Sequence, residues 1–132
     1  MIIEQAVHDA LVADATVLGL VSTRIYYIKA PQSVTNPYIA IQKISAPRLH
    51  THSGSSGLVN SRFQLTIFAT TYKGCKDIAV AIQAVLDNFV GTLATLGMYV
   101  GNCLYDNETD LPFDDDLKLY GLAVDYLIWH NE

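Results

Sequence analysis

Charge is scarce in this chain and unevenly signed. Only 16% of the 132 residues are Asp, Glu, Lys or Arg, and Lys+Arg 8 against Asp+Glu 13 leaves a formal net charge of −5. A chain that holds nucleic acid by its phosphates is usually basic, so dedicated nucleic-acid binding is disfavoured. Cysteine is nearly absent. Cys75 and Cys103 are too few for a disulfide framework and read as reduced thiols of a cytoplasmic product. No apolar run approaches the ~20 residues of a membrane helix, so no membrane association is expected. The start, Met1-Ile2-Ile3-Glu4, has neither the basic residues nor the cleavable apolar stretch of a secretory signal. Apolar residues, by contrast, are plentiful. At 51% hydrophobic the chain can fill a core, and its length suits one domain spanning residues 1–132.

Hydrophobic spacing gives the elements. Ile3, Ala6, Val7, Ala10 and Leu11 form the i, i+3, i+4, i+7, i+8 stripe of an amphipathic helix over residues 2–13. Asp14 stops it or caps a short turn through residue 20. A strand fits residues 24–28, ended by Ala30-Pro31 because proline has no N–H for a ladder. After the Asn36-Pro37 turn, residues 38–44 are rich in β-formers and predict a second strand. Cys75, Ile78, Ala79, Ile82, Val85, Leu86 and Phe89 keep helical spacing, with Gly91 placed to end that helix. Strands are expected at residues 98–105 and 117–129, joined by an acidic connection over residues 106–116. The order α-β-β-β-α-β-β implies an α+β fold: a mixed, mostly antiparallel sheet with two helices packed on one face.

Residues 47–57, Pro-Arg-Leu-His-Thr-His-Ser-Gly-Ser-Ser-Gly, offer almost nothing to bury and read as a flexible loop. Beyond it, residues 59–71 alternate, with Phe63, Leu65, Ile67 and Ala69 on one side. Strand, loop and strand make a long hairpin. Fully extended, its second arm would span about 43 Å at ~3.3 Å per residue. A domain this size has a radius of gyration of only about 14 Å, so the arm must bend or the tip must protrude.

Residues 1–76 carry seven basic and three acidic side chains, net +4, and residues 77–132 one basic and ten acidic, net −9. Two readings follow: differently solvated surfaces of one domain, or head-to-tail self-association of a basic face with an acidic one.

Motifs for chemistry fail on inspection. Asp106-x-Glu108-x-Asp110 imitates a calcium loop, yet Leu111 and Leu117 occupy the places of the required Gly and Glu. An acidic turn explains Asp114-Asp115-Asp116 better than a metal site. His50 and His52 could share a metal, but no CxxC or HxxxH spacing accompanies them. Cys75 lies on an apolar helical stripe and reads as core. Neither a phosphate-binding glycine loop nor a G-x-S-x-G elbow is present. The residues therefore predict no catalytic site, no metal site, no cofactor and no enzyme.

Several phrases, in order, carry a resemblance. A first helix leads into Asp14-Ala15-Thr16-Val17-Leu18-Gly19-Leu20-Val21, then Arg24-Ile25-Tyr26, Ala30-Pro31-Gln32 and Asn36-Pro37-Tyr38-Ile39. The histidine-containing loop ends at Gly57-Leu58-Val59. Arg62-Phe63-Gln64-Leu65 and Ala69-Thr70-Thr71-Tyr72 follow, and the end reads Asp125-Tyr126-Leu127-Ile128-Trp129-His130. Over nearly its whole length the chain resembles the tail-completion, or tail-terminator, proteins of long-tailed bacteriophages. That resemblance implies a non-enzymatic virion protein with no cofactor, assembled in the host cytoplasm. It implies a homo-hexameric ring capping the head-proximal end of the tail, with the tail tube protein and the head-tail connector protein as partners. DNA would pass through its lumen without sequence-specific binding. The hairpin then becomes an assembly surface, with Arg48, His50, His52 and Arg62 as its interface candidates. Other classes consistent with the sequence are a head-tail adaptor, a tail tube protein, and a small ligand-binding or metal-dependent host protein.

Overall fold

The computed structural model describes residues 3–30, 37–51, 54–93, 98–116 and 118–131. Helices α1 (Ile3–Ala13) and α2 (Ala15–Val21) come first. Strands β1 (Ile25–Tyr27), β2 (Tyr38–Ser45), β3 (Arg48–Thr51) and β4 (Gly54–Ala69) follow. Helix α3 (Tyr72–Leu86) leads to β5 (Gly91–Leu93), β6 (Met98–Asp114) and β7 (Leu119–Asn131). The strands run β1-β2-β4-β7-β6-β5 across one sheet, and β3 also pairs β4. Among the described residues only β1 and β2 pair in parallel and the other ladders are antiparallel, which makes the sheet mixed and the fold α+β.

Helix boundaries follow local chemistry. Asp14 caps α2 by accepting a hydrogen bond from the Val17 amide at 3.0 Å. That cap turns the expected short turn into a third helix. Thr71 does the same for α3 through the Gly74 amide at 3.0 Å. The far end of α3 corrects the sequence reading. The left-handed residue that ends it is Asn88 (φ 61), while Gly91 (φ 128) already opens β5.

Two further expectations are overturned. Residues 47–57 are mostly ladder rather than flexible loop: Arg48 pairs Val59, His50 pairs Ser55 and Thr51 pairs Gly54. Ser45↔Arg62 and Arg48↔Val59 keep one register, and the Asn60 amide donates to Pro47 O at 3.0 Å, so β2 and β3 form one arm opposite β4. Backbone pairing needs no apolar side chains, and composition therefore hid it. Likewise the acidic "connection" is strand as far as Asp114, paired to β7 from Val100↔His130 to Asp114↔Leu119. Asp115 and Asp116 do form a turn, in which the Asp116 amide donates to Asp114 Oδ1.

The core lies between the sheet and the helices. From α1 come Ile3, Ala6, Val7 and Leu11; from α3 come Cys75, Ile78, Ile82 and Leu86. Phe63, Leu65 and Ile67 of β4 and Leu122, Val124, Tyr126 and Ile128 of β7 close it from the sheet side. Strand β4 sits between β2 and β7, and its inner residues alternate with half-buried outer ones, as period two requires. Cys75 is fully buried, as its place on the apolar stripe implies.

Candidate assembly interface

Cross-strand neighbours share a face, which places the two arginines singled out in the sequence. Val59 is buried on the helix side of β4, so Arg48 opposite it lies on that side; Arg62 is on the other. The two are therefore not one cluster. Arg48 is exposed and its Nη1 donates to Ala46 O at 3.3 Å. Arg62 is committed within the subunit: its Nη1 lies 2.6 Å from Asp106 Oδ2 of β6 and 3.4 Å from Asp125 Oδ2 of β7. His50 contributes backbone to β3. His52 lies outside the described residues.

The two charge halves of the sequence meet in space. Besides Arg62, Lys76 of α3 lies 3.2 Å from Glu108 Oε2 and 3.6 Å from Asp110 Oδ1; within the first half itself, Lys43 of β2 lies 3.0 Å from Glu4 Oε1. Tyr72 donates its hydroxyl to Asp110 Oδ2 at 2.9 Å. The Tyr72 hydroxyl, and after it the Glu108 carboxylate, hold the Lys76 ammonium above its ordinary range. Segregation along the sequence thus becomes neutralisation across the sheet. Among the described residues, the subunit does not set a wholly basic face against a wholly acidic one.

Sequence reasoning missed a groove. It lies between α1 and the β1–β2 edge, has a volume of about 620 Å³, and is lined by Glu4, His8, Asp9, Tyr27, Ile28 and Lys43 among others. His8 Nδ1 lies 3.2 Å from Asp9 Oδ1, and the His8 and Tyr27 rings are 5.4 Å apart. Burial first, then the Asp9 and Glu4 carboxylates, push the Tyr27 phenol up. The signal that could have found it was the polar side of α1, where Glu4, His8 and Asp9 fall together.

Among the described residues, no three His, Cys, Asp or Glu side chains gather as a metal site. Both cysteines are free and buried, and burial pushes the Cys103 thiol up to about 12. Among the described residues no helix is long and apolar enough to cross a membrane.

Comparison with solved structures shows the same fold in a chain from the virion of a native gene transfer agent particle. The TM-score is 0.80 at 14% identity, covering 98% of this chain and 94% of that one. No curated protein matches the sequence. Residues 5–131 match the family described as tail completion protein gp17. The class this defines is a structural protein of a phage-type virion tail. Within that class, the chain belongs to the tail completion protein gp17 family.

Proposed function

We infer that the chain forms a homo-hexameric ring at the head-proximal end of the tail, terminating the tube and joining it to the head connector. The observation that carries this reading is the family match over residues 5–131, nearly the whole chain. The subunit's architecture supports it. Closing a ring needs two different, complementary surfaces on each copy. Here the sheet has unlike edges: the short β1 on one side, the long acidic β6 capped in part by β5 on the other. The role is structural, with no turnover and no cofactor. Its partners are copies of itself, the tail tube protein and the head-tail connector protein. An acidic subunit also suits a lumen through which DNA slides, because a basic lining would make phosphate contacts and hold it.

Removal and restoration of this chain in producing cells tests the reading. Electron microscopy of particles made without it should show filled heads and separate tails, with joining restored on complementation. Normal joined particles without the chain would refute the role. Open-ended filaments growing from the pure protein would assign it to the tube instead.

A further inference from the structure

The groove beside α1 has unbalanced chemistry. Glu4 is matched by Lys43 at 3.0 Å, but the neighbour of Asp9 is His8, a group charged only when protonated. On its rim stand two apolar side chains in the open, Tyr27 at 45% and Ile28 at 72% exposure. Ile28 is also held at φ 65, a left-handed conformation that a β-branched residue rarely adopts. Its amide donates to Ile41 O at 2.8 Å, which fixes the chain there. Exposure and strain thus fall together at one residue, and such costs concentrate where a partner binds. A suitable occupant brings an apolar side chain and positive charge.

The chain itself contains such a segment. No acidic residue occurs between positions 15 and 76, and the sequence of β3 in the β3–β4 hairpin, Arg48-Leu49-His50-Thr51, supplies an apolar residue beside an arginine. The acidic end of β6 is excluded as occupant by its sign: Asp114, Asp115 and Asp116 would face Asp9 and Glu4. We propose that the groove between α1 and the β1–β2 edge seats the β3–β4 hairpin end of a second copy of this chain. The contact runs between copies because the ladder forbids a return. Lys43 lines the groove and Thr51 stands at the end of β3, about 26 Å further on at ~3.3 Å per residue, held straight by pairing to β4. Hairpin end and groove are different surfaces, so the contact is head-to-tail and repeats from copy to copy until it closes. This inference rests on the ring reading above and assigns it an interface.

The test uses full-length chains assembled on tails. Gln5 lines the groove and is exposed, and Ser55 lies on the hairpin end. Gln5→Cys and Ser55→Cys chains, mixed and oxidised, should give a disulfide-linked pair that neither variant gives alone. The double variant should give a ladder of covalent multimers. Asp9→Lys and Arg48→Glu should each lower the cross-linked yield at least tenfold, and their combination should recover most of it. Rings on tails without cross-links would overturn the inference and leave the ring standing. Ser55→Cys linking to a different tail protein would also overturn it. A chain that never enters the particle would sink both readings together, so the two failures are distinguishable.

Discussion

At the scale of single residues, burial leaves the Tyr126 hydroxyl without a hydrogen bond among the described residues. Tyr126 is fully buried, and its ring stands edge-on to Tyr105 at 5.4 Å. Burial is the main reason its phenol is pushed up. A buried unmet hydroxyl costs roughly 1–3 kcal/mol, so Tyr126→Phe should stabilise the subunit by about 1 kcal/mol. Thermal unfolding should show a rise of a few degrees; a fall would reveal a partner for the oxygen. Ser61 and His130 are the opposite case, buried together with Oγ and Nε2 2.7 Å apart. Ser61→Ala withdraws that bond and should cost roughly 1–3 kcal/mol in urea unfolding. Cys103 sets an alkaline limit. Below about pH 9 its thiol keeps its proton both folded and unfolded. Between that value and about 12 the unfolded thiol ionises while the buried one does not, so stability falls as pH rises. Denaturant midpoints measured from pH 8 to 11 should decline over this range. A flat profile would contradict the burial argument.

Elements show what a sequence can and cannot declare. Helix α1, the core stripe of α3 and the alternating part of β4 were legible because burial imposes a period on side chains. What stayed hidden was held by other forces. The hairpin end pairs through its backbone, which Gly, Ser and Thr permit without any apolar pattern. Strand β6 is poor in β-formers from Asp106 onward, yet β7 pairs along it, and cations placed far away in sequence, Lys76 and Arg62, lie against its carboxylates. Long-range ion pairs leave no local signature. The groove was only half legible: the polar side of α1 shows in the sequence, but its other walls come from β1 and β2. One consequence can be measured: Lys76→Met removes two partly exposed ion pairs, each worth about 0.2–1 kcal/mol. Hydrogen exchange should quicken over residues 106–111 and stay unchanged in α1. The hairpin end should behave differently again. Gly54 and Ser55 pair with Thr51 and His50 of β3, ahead of the β4–β7 ladder, which begins at Leu58↔Asn131. Replacing residues 49–57 by a short glycine-containing turn should leave the melting temperature within a few degrees of the parent and still abolish head-to-tail joining.

For the whole molecule, the family places the chain in the virion tail, and the proposed ring specifies its stoichiometry and position. Charge acts at this scale too. Among the described residues, most ion pairs join the basic first half of the sequence to the acidic second half within one copy, so much of the charge is matched before copies meet. Ring formation should then weaken only modestly as salt rises, because few charges are exchanged at each interface. The most direct measurement is cryo-electron microscopy of joined particles in which this chain carries a small fused tag. The account predicts one layer of tag density, six copies in number, at the junction of tail tube and head connector. Tag density repeating along the tube, or lying anywhere other than that junction, would contradict it.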